Sequence, residues 1–179
     1  MRILTLLLFV FLGTTAFVVI DNNDTTPEVE GIQWMTWEEA TEANKENPKK
    51  IFVDVYTKWC GYCKKMDKTT FLDEAIIKEL GENFYAVKLD AEQRENIMFN
   101  GSDFKFVPNR GRNGVHQLAY ALLDGRMSFP SFVLLDEEFS RIMVSPGYKK
   151  VDQLKKELEF ASKDIYKEKS WNDYLRDSE

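Results

Sequence analysis

The chain has very few residues of the two types that most often bind transition metals, with two cysteines and one histidine among 179 residues. Two cysteines are too few to hold a small scaffold together with several disulfides, so the fold must depend on its core. A zinc or copper site lacks further ligands, because the single His116 lies far along the chain from both cysteines. No basic block is dense enough to offset the net charge of −6, which argues against a nucleic-acid binder.

The body of the chain has the composition of a folded, globular protein. Hydrophobic residues make up 44% of the sequence and aromatic residues 13%, which is too apolar for a disordered chain. A length of 179 residues suits one domain with a substantial core and some additional segments.

The N-terminus has the pattern of an export signal. The positive start Met1-Arg2 precedes an uncharged apolar run over 3–20, and residues 21–31 then turn acidic and polar. Residues 1–20 are therefore predicted to be a signal peptide or an N-terminal anchor, since the run just reaches the length that spans a bilayer. Residues 21–31 are predicted to be a flexible spacer, and a lipoprotein is excluded because no cysteine follows the run. We expect an exported protein, either periplasmic or anchored in the membrane and facing the periplasm.

Periodicity predicts a single α/β domain over 32–167, followed by a C-terminal tail over 168–179. Apolar runs rich in β-branched and aromatic residues predict strands over 50–57, 84–89, 131–136 and 141–144. Helices are expected to begin near Thr36, the cysteines, Asp73, His116 and Val151, the last continuing to Ile165. The tail either packs back on the domain as a short helix or frays.

Local signals mark the ends of elements and one tight turn. Thr36 and Glu39 form a capping box at the start of the first helix. Gly81 is expected to end the helix that begins at Asp73. The dipeptide Asn100-Gly101 between apolar runs predicts a β-hairpin, within an insertion over about 95–114.

The two cysteines lie three positions apart, in Cys60-Gly61-Tyr62-Cys63, between a strand-like and a helix-like run. Sulfurs at this spacing across a helix start can close a disulfide or remain a dithiol, which suits a reversible two-electron switch. Cys60 at the helix N-terminus is expected to be the attacking thiolate, with its pKa lowered from ~8.5 into the range ~3.5–7.5. Cys63, one turn further on and more shielded, would resolve the mixed disulfide. A structural disulfide would constrain little chain across so short a loop, and haem attachment needs a histidine where Lys64 stands.

The segment over 54–64, DVYTKWCGYCK, resembles the active-site segment of the thioredoxin family. Its continuation over 65–71 is most similar to the C-terminal domain of membrane-bound thiol:disulfide interchange proteins, and is also similar to small exported thioredoxin-like proteins. The resemblance extends from about Trp34 to Ser162, apart from the hairpin region. It implies an α/β thioredoxin fold, with a central mixed sheet flanked by helices and a hairpin insertion before the strand that follows a cis-proline.

The resemblance also implies roles for residues around Cys60 and Cys63, the catalytic pair. Asp54 would be a buried proton acceptor for Cys63, and Lys88 on the neighbouring strand would tune it. As alternatives, Asp54 lies on a wet strand face and Lys88 is an ordinary solvent-facing lysine. Pro130 would be the cis-proline that keeps Cys60 open to an extended substrate strand. The predicted supporting residues are Asp54, Trp59, Lys88 and Pro130, and the predicted substrate contacts are Gly61, Tyr62, Phe129 and Pro130.

The stretch between Asp90 and Pro130 is longer than the resemblance leads one to expect. It contains three phenylalanines and two arginines of interest: Phe99, Phe104, Phe106, Arg110 and Arg112. One hypothesis is that the insertion covers its own apolar face, and the other is that it forms a partner-recognition flap beside Pro130. His116 is expected to start a helix and to take no part in the chemistry.

These patterns predict an exported thiol–disulfide oxidoreductase that reduces disulfides of cell-envelope proteins, without a cofactor or a metal. Its expected partners are protein disulfide substrates and a membrane electron donor, with no nucleic acid. Contact with the membrane is expected only through the N-terminal segment, if that segment is not cleaved. Two alternatives stay open: a disulfide isomerase or oxidase of the same fold, and a non-catalytic binding module.

Overall fold

A computed structural model describes residues 31–178 of the chain. The predictions for residues 1–20, and for all but the last residue of the spacer over 21–31, lie outside the described residues. Within the described part, none of the helices has the length and apolar character needed to span a bilayer.

The described residues form nine strands, six α-helices and two short 3₁₀ turns. The strands are β1 (Trp34–Met35), β2 (Lys50–Tyr56), β3 (Phe84–Asp90), β4 (Ile97–Phe99), β5 (Ser102–Phe104), β6 (Phe106–Val107), β7 (Val115–His116), β8 (Ser131–Leu135) and β9 (Arg141–Pro146). The helices are α1 (Trp37–Glu46), α2 (Gly61–Asp67), α3 (Glu74–Asn83), α4 (Gln117–Leu122), α5 (Val151–Ser162) and α6 (Trp171–Asp177). The 3₁₀ turns cover Thr70–Leu72 and Ile165–Lys167.

Five strands form a central mixed sheet in the order β1-β3-β2-β8-β9. β2 pairs in parallel with β3 and antiparallel with β8, while β1 joins β3 in parallel and β9 joins β8 antiparallel. Helices cover both faces of this sheet. Two separate two-stranded ladders, β4–β5 and β6–β7, lie outside it. This is the α/β thioredoxin fold with hairpin insertions that the resemblance implied.

β2 is the central strand, and residues 50–55 of it are buried. Ile51, Val53 and Val55 pack into one core cluster with residues of α1 and α4. Phe52 packs into the opposite cluster with residues of α2, α3 and α5. Because side chains alternate along a strand, Asp54 faces the same side as Phe52. A strand that is apolar on both faces and paired on both edges has only one stable position in the sheet.

The sequence signals at two turns are confirmed. Thr36 Oγ1 accepts from the Glu39 N–H at 3.2 Å, and Glu39 Oε2 accepts from the Thr36 N–H at 2.7 Å, which completes the capping box. Asn100 and Gly101 have φ angles of 47° and 74° and form the two-residue loop of the β4–β5 hairpin. Positive φ at both positions is what a loop of this length requires.

Two expected helix ends are wrong. Gly81 does not end α3, which continues to Asn83 and passes directly into β3 at Phe84. Burial of Leu80 against the sheet offsets the ~1 kcal/mol that a helical glycine costs. α5 ends at Ser162 instead of reaching Ile165, because Asp164 adopts a left-handed conformation with φ of 56°.

The C-terminal tail packs back on the domain as a short helix. The ring of Phe160 on α5 lies 5.2 Å from Trp171 and 5.5 Å from Tyr174 of α6. Ser170 caps α6, with its hydroxyl oxygen accepting from the Asp173 N–H at 3.2 Å. These aromatic contacts explain why the tail packs on the domain instead of fraying, a choice that the sequence did not decide.

The insertion divides into two parts with different surroundings. The β4–β5 hairpin packs on the core, where Phe99 lies 5.0 Å from both Trp37 and Phe139, so for this part the structure supports the covering hypothesis. A second ladder, β6–β7, was not predicted and encloses the loop over 108–114. His116 ends this ladder and caps α4, accepting at Nδ1 from the Leu118 N–H at 3.3 Å, so its placement at a helix start is confirmed.

Gly114 is predicted to be essential to the shape of this loop, whereas Gly111 is not. Both have positive φ, 85° and 68°, but a Cβ at Gly114 would overlap the Phe106 ring and one at Gly111 would meet nothing. Gly111→Ala should therefore cost only the ~1–2 kcal/mol of the left-handed backbone. Gly114→Ala should cost a further ~1–3 kcal/mol from overpacking. Denaturant unfolding of both variants measures this, and equal losses of stability would contradict it.

Candidate active site

The two cysteines lie at the junction between β2 and α2. After β2 ends, the Cys60 N–H donates to the Thr57 carbonyl at 3.0 Å, and Cys60 becomes the N-cap of α2. Its Sγ accepts from the Cys63 N–H at 3.1 Å. The two sulfurs form a disulfide, with the Cα atoms 5.3 Å apart. A sulfur at this position receives the partial positive charge of the helix start, as the sequence predicts.

Both cysteines are buried to nearly the same extent, at 4% exposure for Cys60 and 3% for Cys63. The expected difference in shielding is therefore absent from the disulfide form. Two large side chains of the same motif are exposed instead, Trp59 at 58% and Tyr62 at 62%. An exposed tryptophan and tyrosine beside a covered disulfide form a surface on which another protein can pack.

The carboxyl group of Asp54 is buried, and few neighbouring groups compensate the cost of burying its charge. Asp54 is 1% exposed, and its Oδ1 atom has no hydrogen-bond partner among the described residues. Burial raises the pKa of Asp54 to about 7, although the nearby Lys88 ammonium acts in the opposite direction. The alternative of a wet strand face is therefore wrong. A carboxyl group with this pKa can take up or release a proton near neutral pH.

Lys88 lies directly beside Asp54 in the sheet register. Its Nζ atom is 3.4 Å from Asp54 Oδ2 and also pairs with Asp67. The same Nζ lies 4.7 Å from the centre of the Trp34 ring. The lysine is thus not an ordinary solvent-facing residue, because its ammonium group is held between Asp54, Asp67 and the ring of Trp34.

The Phe129–Pro130 peptide bond is cis, as the resemblance implied. The Pro130 carbonyl accepts from the Gly147 N–H at 2.8 Å, and Gly147 has a φ of 89° that favours glycine. Phe129 contacts Trp59 edge-to-face, with ring centres 5.9 Å apart. This contact places the cis-proline segment next to the cysteine motif. Gly61, another predicted substrate contact, is exposed and is the first residue of α2.

A cleft of about 230 Å³ lies beside the cysteine motif, between Trp59 and Phe129 on one side and the loop of the insertion on the other. Glu92 links these walls, because its Oε1 accepts from Trp59 Nε1 at 2.9 Å and from Asn113 Nδ2 at 3.0 Å. Glu92 and Asn113 were not among the site residues predicted from the sequence. No local pattern marks them, since their roles depend on contacts between distant parts of the chain.

Tyr148 is a further residue that sequence reasoning missed. Its ring lies 5.9 Å from that of Tyr62 and 5.0 Å from Lys65 Nζ. Tyr148 directly follows Gly147, whose N–H donates to the Pro130 carbonyl, and its role depends on contacts that only the folded chain forms. The exposed aromatic surface therefore continues on the other side of the motif.

The sequence profile of the thioredoxin-like domain matches residues 37–162. The chain belongs to the thioredoxin-like family. Human spermatogenesis-associated protein 20 is 37% identical over 68 residues, which are 37% of this chain and 8% of that protein. The thiol:disulfide interchange protein DsbD of Campylobacter jejuni is 33% identical over 60 residues, which are 34% of this chain and 10% of that protein. The matched segments are thus a tenth or less of these relatives.

A solved thioredoxin-fold protein from Helicobacter pylori superposes with a TM-score of 0.55 at 21% identity, covering 74% of this chain and 80% of that one. At this identity the likeness shows the fold alone. The thioredoxin-like domain with its Cys60–Cys63 disulfide is consistent with a thiol–disulfide oxidoreductase. Within residues 31–178 no group of three or more histidine, cysteine or acidic side chains could hold a metal.

Removal of the buried charge at Asp54 is predicted to stabilise the oxidised protein above pH 7. Because the pKa of Asp54 is raised by burial to about 7, folding favours the protonated form, and stability falls as pH rises from about 4 to about 7. Asp54→Asn should gain on the order of 2–4 kcal/mol at pH 8 and almost nothing near pH 4. Denaturant unfolding at the two pH values measures this difference.

Asp67→Asn is the matched control, because it removes the other carboxylate partner of Lys88 and leaves Asp54 in place. Its effect on stability should change much less between pH 4 and pH 8 than that of Asp54→Asn, because Asp67 raises the pKa of Asp54 less than burial does. A gain for Asp54→Asn that is independent of pH would contradict the account of the buried charge.

Proposed function

We propose that this protein is an exported thiol–disulfide oxidoreductase that reduces disulfides of cell-envelope proteins through Cys60 and Cys63. The observation that carries the proposal is the Cys60–Cys63 disulfide at the start of α2. The buried Asp54 and the Phe129–Pro130 segment beside the motif support it. Further support comes from the matched relative in Campylobacter jejuni, whose name is thiol:disulfide interchange protein.

The proposed reaction is a two-step exchange that needs no cofactor. In the reduced protein the Cys60 thiolate attacks one sulfur of a substrate disulfide, forms a mixed disulfide and releases the first substrate thiolate. Cys63 then attacks Cys60 Sγ and releases the second substrate thiolate. Asp54, with its pKa near 7, accepts the proton that leaves Cys63, directly or through water. Two electrons pass to the substrate, and the Cys60–Cys63 disulfide of the structure is the product.

The location and the electron donor are part of the same proposal. The apolar run over 3–20 favours export, with residues 1–20 acting as a signal peptide or as an anchor. Outside the cytoplasm, a reductase needs a source of electrons, and a membrane electron donor would return the protein to its dithiol form. Contact with the membrane would then occur only through an uncleaved N-terminal segment.

An isomerase or oxidase would use the same residues with a different redox poise. The reduction potential of the Cys60–Cys63 pair separates the alternatives, since about −270 mV favours a reductase and about −120 mV an oxidant. A non-catalytic binding module would show no exchange at any potential.

Insulin is a suitable first substrate, because reduction of its interchain disulfides precipitates one chain and can be followed by turbidity. The wild-type protein with dithiothreitol should accelerate precipitation, and Cys60→Ser should return the rate to that of dithiothreitol alone. The physical reason is that only Cys60 is positioned as the attacking sulfur. Full activity of a folded Cys60→Ser variant would exclude the catalytic role of Cys60, whereas no acceleration by the folded wild type would favour the binding module.

The natural substrates can be captured with Cys63→Ser in the native host. Without its resolving thiol, Cys60 should remain joined to substrate proteins as mixed disulfides, which mass spectrometry identifies after purification under non-reducing conditions. The double variant Cys60→Ser/Cys63→Ser is the matched control and should carry no adducts. If the single variant is folded and exported but carries none, the resolving role of Cys63 is wrong.

A further inference from the structure

The second part of the insertion forms one wall of the cleft beside the cysteine motif. The loop from Arg110 to Val115 lies opposite Trp59 and Phe129 across a space of about 230 Å³. This volume is several times the ~30 Å³ that one water molecule occupies in the liquid. Val115, Met127 and Phe129 give the cleft an apolar lining, so it suits an apolar side chain.

Two arginines line this cleft, Arg110 and Arg112. Arg110 is held in place by Tyr120 of α4, whose ring centre lies 4.1 Å from the guanidinium carbon. A guanidinium group that stacks on a ring by its face keeps its N–H donors at its edge, where they can bind a carboxylate. Neither arginine forms an ion pair with any carboxylate in residues 31–178.

The charge of the cleft is opposite to that of the chain. The lining contains Arg110 and Arg112 and one acidic residue, Glu92, in a protein whose net charge is −6. Glu92 already accepts N–H bonds from Trp59 and Asn113 at one carboxylate oxygen, so part of its charge is compensated. The arginines therefore make a local positive site next to the motif, which is complementary to an acidic ligand.

The same contacts connect the loop to the disulfide. Trp59 precedes Cys60 directly, and its indole N–H and the Asn113 side chain share Glu92 as acceptor. The cleft therefore begins at the residue that directly precedes Cys60.

We propose that the cleft formed by the insertion loop selects substrate disulfides whose target cysteine lies in an extended segment with an adjacent apolar residue and acidic residues beyond it. The apolar side chain enters the space between Phe129 and Val115, and the carboxylates bind Arg110 and Arg112. This inference rests on the proposed exchange function and adds the class of substrate to it.

The test uses two synthetic peptides, each closed by one internal disulfide with a leucine beside the first cysteine. They differ only in the flanking residues, which are glutamates in one peptide and lysines in the other. Reduced full-length protein is mixed with excess peptide, and a single turnover transfers two electrons from the Cys60–Cys63 dithiol to the peptide disulfide. The wild type should reduce the acidic peptide about 3- to 10-fold faster, as expected for two exposed ion pairs, and added salt should diminish the preference.

The decisive variant is Arg110→Glu/Arg112→Glu, which should reverse the preference so that the lysine peptide reacts faster. A merely structural role for the arginines would slow both peptides equally. The matched control is Lys45→Glu/Lys155→Glu, which makes the same change of charge at exposed positions that do not line the cleft and should retain the wild-type preference. Circular dichroism checks that both variants are folded.

The outcomes separate this inference from the function on which it rests. Reduction of both peptides at equal rates by the wild type overturns the inference and leaves the exchange function standing. Reduction of neither peptide by protein that reduces insulin also overturns the inference alone, whereas failure with insulin as well removes the exchange function and the inference together. A dimer of the wild type that the arginine reversal dissociates would assign the cleft to a second copy of this chain and would also overturn the inference.

Discussion

The position of β2 in the sheet is the constraint on which the active site depends. It pairs with β3 on one edge and with β8 on the other, and six of its residues in succession are buried. A shift of its register by one residue would exchange Phe52 and Val53 between the two cores, which sheet pairing and helix packing both oppose. The chain therefore leaves the sheet at one defined point, after Tyr56, and Cys60 becomes the start of α2 there.

The same strand brings a destabilising group to the site. Asp54 interrupts an otherwise apolar strand and points to the face that α2, α3 and α5 cover. Burying a carboxyl group is costly, and the single ammonium of Lys88 compensates it only in part because that lysine is shared with Asp67. The strength of β2 pairing is what keeps Asp54 in place. Holding an ionisable group where the chemistry needs it usually lowers the stability of the protein below what the same fold could reach.

The parts of the structure that were predictable from sequence are those with short-range causes. The capping box at Thr36, the hairpin at Asn100-Gly101 and the N-cap position of Cys60 each depend on neighbouring residues, and the structure contains all three. The wrong predictions have long-range causes. α3 continues through Gly81 because tertiary packing outweighs helix propensity. Glu92 and Asn113 could not be identified, because only the folded chain brings them together with Trp59.

The two parts of the insertion contribute differently to the structure. The first part, β4–β5, supplies aromatic side chains that complete the core around Trp37, and this packing anchors the second part, which begins directly after β5. The β6–β7 ladder then closes the loop, with Gly114 allowing Phe106 to approach. A loop held at both ends in this way loses less conformational entropy than a free loop would when a partner binds. Covering the core and shaping a cleft are thus consecutive functions of one segment, and the first is the physical precondition of the second.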